Sequence, residues 1–385
     1  DGSFACDHFH RFEEDLDLLV DAGFDAYRFS FSWSRLFPDG KNLNIEGLDF
    51  YKQLLDAINS RGLRPFGTAY HWDMPQALGQ LGGWTVRENA ERFGDYMGFI
   101  ARTFGDGLEN LVSINEPWCV AWLSHYLGEH APGLKDLNSA ASANHFVCLG
   151  HGLGVQAARA ETAKPIGIVL NFTPGRVENR SDSNISALER YEAVTNTWYL
   201  SAVTKGKYPH AALSELEPLL PRNWQRDMDI IRAPIDFIGI NYYTTQMLKA
   251  GGQDFPYVEI VDRNLPKNDM GWEIEPKGLT DAINLVSQYA PDMPLYITEN
   301  GMASEKSISD SDRIKYYQDH LDVVAKAAQT LPIKGYFAWS LLDNFEWAFG
   351  YKKRFGLVYV DYETQQRTKK DSFKWWQSEL VRPLA

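Results

Sequence analysis

Two glutamates in this sequence of 385 residues each follow a short run that alternates between apolar and small polar side chains. Glu116 comes directly after NLVSIN at 110–115 and precedes Pro117, which cannot extend a β-ladder. Glu299 lies much later, in LYITENG at 295–301. The alternation before each acid is typical of a half-buried strand. The pattern predicts two carboxylates at the ends of two strands.

Two carboxylates that flank one pocket are the minimum equipment for retaining glycoside hydrolysis. One must be protonated to assist the leaving oxygen and the other ionised to attack the anomeric carbon, so their pKa values must differ. Arg28, near the end of an earlier strand, is a suitable cation to keep one of them ionised. The competing interpretation is a pair of buried acids held in structural salt bridges. We predict no metal site, because His8, His10 and His71 lack an HExxH context or a Cys partner.

Strand-like and helix-like segments alternate along the whole chain. The predicted strands are 25–33, 64–72, 110–117, 164–172, 236–243, 295–301 and 333–344. Helical spacing occupies the segments between them, beginning with residues 7–22, which end at Gly23. This alternation predicts parallel strands joined by right-handed crossovers, with helices on both faces of the sheet. No linker or low-complexity segment interrupts it, so we expect a single domain over 1–385.

An open Rossmann sheet and a closed barrel both fit the alternation, but the glycine-rich phosphate loop of the open sheet, GxGxxG, does not occur. Polar or aromatic residues instead follow nearly every strand. They are Arg28 and Trp33, His71 and Trp72, Asn115 and Glu116, Asn241 and Tyr243, Glu299 and Asn300, and Trp339. A (β/α)8 barrel assembles its active site from such strand ends, so we predict this α/β architecture.

Composition limits the partners of the protein. The formal net charge of −13 argues against nucleic acid or an anionic membrane surface, and no run approaches the roughly 18 apolar residues of a membrane span. The 12 Trp, 19 Tyr and 21 Phe fit either a large core or a sugar-binding pocket. Cys6, Cys119 and Cys148 show no metal-like spacing and predict a reducing compartment, the cytoplasm. The N-terminus looks truncated, which leaves a preceding signal peptide open.

Further blocks accompany NEP at 115–117 and ITENG at 297–301. In chain order they are YRFSFSW (27–33), YHWDMPQAL (70–78), GINYY (239–243), GWEIEP (271–276) and FAWSLLDNFEWAFGYKKRFGLVYVD (337–361). With these blocks the sequence resembles glycoside hydrolase family 1, the β-glucosidase family, over nearly its whole length. The resemblance implies a retaining β-glycosidase that needs no cofactor and acts on a β-glycoside or an oligosaccharide.

The resemblance also implies roles for individual residues. Glu116 would be the acid/base and Glu299 the nucleophile, supported by Arg28 and Tyr243. The other implied residues are His71, Asn115, Glu346 and Trp347 as ligands of sugar hydroxyls, Trp339 as the stacking floor, Trp72 as a wall of the pocket, Asn241 in its polar network, and Trp272 and Phe355 at the aglycone entrance.

Two positions bear on the substrate. The thioglucosidase branch of the family replaces the acid/base glutamate with Gln, so Glu116 favours ordinary O-glycosides. The 6-phospho branch has Ser, Lys and Tyr near the position of Glu346, where a carboxylate would repel a phosphate. Glucose and galactose, which differ at C4, often share such a site.

Cys119 follows the acid/base closely, and we expect it to be a small buried side chain rather than a reactive group.

The first strand of the family barrel, with its QxEG motif, has no counterpart among the seven predicted strands. We therefore expect an incomplete barrel with unpaired edges on the first and last strands. A homo-oligomer is expected to cover them. The alternative function is a sugar-binding protein that lost turnover with this strand.

Overall fold

The computed structural model describes residues 2–305 and 308–381. Its strands are β1 (Ala26–Ser30), β2 (Arg64–Tyr70), β3 (Asn110–Asn115), β4 (Ile166–Phe172), β5 (Gly175–Val177), β6 (Phe237–Tyr242), β7 (Gln246–Ala250), β8 (Val258–Val261), β9 (Leu295–Asn300), β10 (Ile333–Ala338), β11 (Val358–Val360) and β12 (Arg367–Lys369).

Thirteen α-helices lie in the same ranges of the chain. They are α1 (His8–Ala22), α2 (Trp33–Leu36), α3 (Ile45–Ser60), α4 (Gln76–Gln80), α5 (Arg87–Phe104), α6 (Leu137–Arg159), α7 (Asp182–Glu192), α8 (Trp198–Lys205), α9 (His210–Leu216), α10 (Met228–Ile231), α11 (Pro276–Tyr289), α12 (Ser311–Ala327) and α13 (Asp371–Leu380). Within residues 2–305 and 308–381, every helix is too short or too polar to cross a lipid bilayer.

The main sheet is a nearly closed parallel barrel of seven strands in the order β1-β2-β3-β4-β6-β9-β10. All its pairs are parallel, from Ala26 opposite Arg64 to Ile333 opposite Leu295. Each of the seven predicted strands is present, although the last, predicted over 333–344, ends at Ala338. β3 and β6 are buried along their whole length, because helices cover the outer face while side chains fill the interior.

The predicted first strand was too long at its C-terminal end. β1 stops at Ser30, and the side chain of Ser32 caps α2 by accepting a hydrogen bond from the backbone N–H of Arg35. Trp33 therefore starts a helix and, at 1% exposure, belongs to the core, where its ring stacks on Tyr96. Alternation alone does not reveal such a capped turn.

The barrel has a gap between its first and last strands. Within the described residues, β1 pairs with β2 alone and β10 with β9 alone, which confirms the expectation of a missing strand. A cavity of about 600 Å³ occupies the gap, between the two strands and the segment 2–10 that leads into α1. Helix α1 flanks the cavity, with Phe9 stacked on Phe50 of α3, and ends at Gly23 as predicted. We call this cavity the slot.

Two small sheets were not predicted. One contains β5, β7 and β8, and the other pairs β11 with β12. Their strands have three to five residues, and segments such as QMLKA and VEIV have too little periodicity to separate them from loops.

Candidate active site

The carboxyl ends of three barrel strands, β3, β6 and β9, place the central residues of the site. Asn115 ends β3, and Glu116 follows it in the left-handed region with a φ of 49°, immediately before a π-helical turn over Cys119–Leu123. Asn241 and Tyr243 come from the end of β6, and Glu299 from β9, which pairs with β6. Because parallel strands end at the same rim of a barrel, these side chains meet in one pocket.

Both carboxylate oxygens of Glu299 accept strong hydrogen bonds. Nη1 of Arg28 lies 2.9 Å from Oε1, and the hydroxyl of Tyr243 lies 2.7 Å from Oε2. Glu299 is only 4% exposed, so its carboxyl group has little contact with water. The positive charge of the guanidinium compensates for the hydration that is lost on burial. The cation near the end of the first strand, Arg28, thus forms an ion pair with one of the two glutamates, Glu299.

Glu116 lies in a different environment. Nδ2 of Asn241 donates a hydrogen bond of 2.6 Å to Oε1, and Sγ of Cys119 lies 3.2 Å from Oε2. Burial, followed by the negative charge of Glu299, raises the pKa of Glu116 to about 8. The carboxyl group of Glu116 is therefore mostly protonated at neutral pH.

An amide network joins the two glutamates. Oδ1 of Asn115 accepts hydrogen bonds from Nη2 of Arg28 at 2.6 Å and from Nδ2 of Asn241 at 3.1 Å. Thr298, the residue before Glu299, donates its hydroxyl to Oδ1 of Asn241 at 2.7 Å. The backbone oxygen of Asn115 accepts from the indole of Trp72 at 3.0 Å. These contacts hold both amides in one orientation between the carboxyl groups.

Aromatic rings line the pocket beside this network. The ring of His71 lies nearly parallel to those of Trp339 and Trp347, with centroids 5.9 and 6.0 Å away, and Trp72 lies 4.8 Å from Trp347. Burial and the charge of Arg28 lower the pKa of His71 to about 3, so its imidazole is neutral. Indole faces and a neutral imidazole suit a sugar, which offers apolar C–H faces and hydroxyl groups.

The remaining predicted residues surround Glu299. Trp272 packs 5.4 Å from Tyr243, and Phe355, which is 2% exposed, lies behind both rings. Burial and the charge of Glu299 raise the pKa of Glu346 to about 7. This third carboxyl group therefore lies close enough to Glu299 to feel its charge.

Asn300, predicted among the strand-end residues, binds the backbone oxygen of Tyr242 and the hydroxyl of Tyr316 and is fully buried. It is structural rather than part of the pocket. Sequence reasoning missed Thr298 and also His130, whose ring lies 5.1 Å from Trp72. His130 lies in a loop without periodic signal, whereas the position of Thr298 in LYITENG could have drawn attention to it. Cys119 is buried as expected, but it also contacts Glu116.

The slot reaches this pocket. Arg28, His71 and Trp339 line the slot as well as this pocket, so the pocket is open on the side between β1 and β10. In the described part of the chain no group of three or more His, Cys, Asp or Glu side chains could hold a metal ion.

Comparisons with known proteins agree with this geometry. The sequence model of glycosyl hydrolase family 1 matches residues 1–382. Beta-glucosidase A of Thermotoga maritima is 42% identical over 386 residues, which cover 97% of this chain and 86% of that protein. A bifunctional beta-D-glucosidase/beta-D-fucosidase of Bifidobacterium breve is 41% identical over 409 residues and covers 97% of this chain and 87% of its own length.

Among solved structures, the family 1 β-glucosidase of Thermotoga maritima in complex with isofagomine lactam superposes with a TM-score of 0.95 at 40% identity. The match covers 98% of this chain and 87% of that chain. The chain belongs to glycosyl hydrolase family 1, and it is a glycosidase on a (β/α)8-type barrel.

Proposed function

We propose that this enzyme hydrolyses terminal non-reducing β-D-glucosides with retention of configuration, and that Glu116 is the acid/base and Glu299 the nucleophile. The observation that supports these roles is the contrast between two buried carboxyls linked by one network. Glu299 receives hydrogen bonds from Arg28 and Tyr243, whereas burial raises the pKa of Glu116 to about 8. Such a contrast is what an acid and a nucleophile in one pocket require.

Two displacements follow from these roles. In the first, a carboxylate oxygen of Glu299 attacks the anomeric carbon while Glu116 transfers its proton to the glycosidic oxygen, which leaves with the aglycone. In the second, the ionised Glu116 takes a proton from water, and this water attacks the anomeric carbon and breaks the bond to Glu299. Two inversions restore the starting configuration and regenerate both carboxyl groups.

The sugar contacts come from the residues around the network. We propose that His71, Asn115, Glu346 and Trp347 bind hydroxyls of the non-reducing sugar over the floor of Trp339. Glu346 would accept from O4 and O6, which favours neutral sugars and allows β-D-galactosides as well. The relative named for β-D-glucosidase and β-D-fucosidase activity supports a site that also tolerates fucosides.

At the pocket entrance, Trp272 would face the aglycone, while the predicted contact of Phe355 would be indirect, because this ring is buried behind Trp272. We propose that Trp72 and Asn241 act on the other side, by walling the glycone pocket and by holding Glu116 in place. These roles agree with the hydrogen bond from Trp72 to Asn115 and with the one from Asn241 to Glu116.

The test is turnover of chromogenic aryl β-glucosides and β-galactosides by the purified chain. Glu299→Gln should abolish it, while Glu192→Gln, which changes a partly buried glutamate bonded to Gly175 and Asn196, should not. A 2-deoxy-2-fluoro glucoside should label Glu299 in the parent. A label on another residue rejects the nucleophile, and binding without turnover would favour the sugar-binding alternative.

Two wider properties belong to the same proposal. We propose that two copies of the chain associate near β1, β10 and α1, because within the described residues the facing edges of β1 and β10 pair with no further strand, and Phe4 of the slot is 77% exposed. We propose a cytoplasmic location because Cys6, Cys119 and Cys148 are free thiols.

A further inference from the structure

The hydrogen-bond network determines which oxygen of Glu116 carries a proton. The guanidinium of Arg28 can only donate, and its Nη2 lies 2.6 Å from Oδ1 of Asn115, so that atom is an acceptor oxygen. The atom of Asn241 that lies 3.1 Å from the same oxygen must then be its N–H group. The other amide atom of Asn241 faces the hydroxyl of Thr298, in agreement with this orientation.

Asn241 therefore directs an N–H group at Glu116, and Oε1, 2.6 Å away, is an acceptor. A proton on Oε1 would face the N–H group without an acceptor, which is costly for a group only 5% exposed. The acid proton of Glu116 consequently resides on Oε2. This oxygen lies 3.2 Å from Sγ of Cys119.

We propose that Cys119 is a positioning residue that holds the proton-carrying oxygen of Glu116 through both halves of the reaction. The inference rests on the proposed acid/base role of Glu116. A thiol is both a weak donor and a weak acceptor, so it can contact either protonation state of Oε2, whereas an amide N–H suits only an acceptor. Cys119 is 7% exposed and begins the π-helical turn that follows Glu116, so backbone geometry holds its sulfur beside the carboxyl group.

The ionised form of Glu116 depends on more than the thiol. Burial and the charge of Glu299 oppose ionisation, while Arg28, Asn241 and Cys119 favour it. The charged or titratable groups that act on this pair from the surrounding elements are Arg28 of β1, Tyr199 of α8, Tyr243 after β6, Glu299 of β9 and Glu129 in the loop before α6. Burial raises the pKa values of Tyr199 and Tyr243 well above 10, so neither titrates near neutral pH.

The test uses substitutions that change the donor in opposite directions. Cys119→Ala removes the thiol donor and should raise the pKa of the basic limb of the kcat/KM profile by roughly half a unit. Cys119→Ser supplies a stronger O–H donor to the carboxylate and should lower it by a similar amount. The matched control is Cys148, which is 2% exposed on α6. The Ala and Ser variants of Cys148 should leave the pKa of the basic limb unchanged.

Shifts in the same direction, or no shift in either Cys119 variant, would overturn the proposal. Cys119→Val, which fills the site with an apolar side chain that has no donor, provides a second test if the Ala variant unfolds, and it should also raise the pKa of the basic limb. The acid/base role is checked separately by Glu116→Ala. If the basic limb persists in that variant, the proposed function fails, whereas its loss with silent Cys119 variants rejects only the positioning role.

Discussion

Arg28 and Glu299 form a buried ion pair across the barrel, with Nη1 2.9 Å from Oε1 and side chains that are 6% and 5% exposed. The same guanidinium binds Asn115 through Nη2 at 2.6 Å. Since Asn115 precedes Glu116, one cation influences both carboxyl groups of the proposed reaction. Its two donors lie in one plane at a fixed separation, a geometry that lysine cannot reproduce.

Removing this cation should be costly to catalysis. We expect Arg28→Met to lower kcat/KM more than about a hundredfold, because it leaves a buried carboxylate without its partner. Arg28→Lys should lose less activity, since lysine keeps the positive charge but not the two coplanar N–H donors. Arg64→Met is the control, because the pair between Arg64 and Asp25 is exposed. Steady-state kinetics of the three variants checks this, and equal activity of parent and Arg28→Met contradicts it.

The acid role of Glu116 predicts a dependence on the leaving group. Glu116→Ala should slow glycosides with poor leaving groups far more than activated aryl glycosides, because only the former need protonation. The parent should show a bell-shaped pH profile whose basic limb belongs to Glu116, with its pKa raised to about 8. Rates on a series of aryl β-glucosides of graded leaving-group acidity measure this. Equal losses along the series are incompatible with the assignment.

The raised pKa also predicts a pH dependence of stability. Between the ordinary value of 4.5 and about 8, folded Glu116 binds more protons than the unfolded chain, so its contribution to stability is present at low pH and lost as pH rises. Glu116→Gln removes this titration while it preserves size. We expect its midpoint of thermal unfolding to exceed that of the parent by roughly a few degrees at pH 8, and the difference to vanish toward pH 5. Calorimetry at several pH values checks this, and a constant difference counts against it.

Glu346 should decide between neutral and phosphorylated sugars. Glu346→Ser should lower kcat/KM for glucosides about ten- to a hundredfold above pH 7, where Glu346 is ionised and a buried sugar hydroxyl loses a charged partner worth roughly 1.5–3 kcal/mol. Glu346→Gln, which keeps an acceptor, should lose less. Competition between a β-glucoside and its 6-phosphate measures the preference. A parent enzyme that favours the phosphate would disprove the neutral-sugar assignment.

The slot predicts association of two chains. Light scattering at assay concentration should show a dimer or a larger assembly. Phe4→Glu, at a residue that lines the slot and is 77% exposed, should weaken it. Ile260→Glu changes a residue that is 66% exposed on β8, outside the slot, and should not. A fully active monomer would remove the basis for the dimer.

The open slot should also weaken the binding of glucose and lower the discrimination between the C4 epimers glucose and galactose.

Local patterns were sufficient for much of the fold. Alternating side chains and helical spacing predicted the seven barrel strands, because the burial of each segment is encoded in consecutive residues. The two glutamates could likewise be identified as strand-end acids. The absence of an eighth strand was predicted from the family resemblance instead.

The tertiary structure decided the contacts between distant residues. Arg28 and Glu299 are 271 positions apart, and no local pattern specifies which oxygen a guanidinium meets. The orientation of Asn241, the proximity of Cys119 to Glu116 and the opening of the slot into the sugar pocket likewise depend on barrel register and burial. Sequence periodicity reports how each segment is buried, whereas pKa values and hydrogen bonds depend on what the other segments bring to the same place.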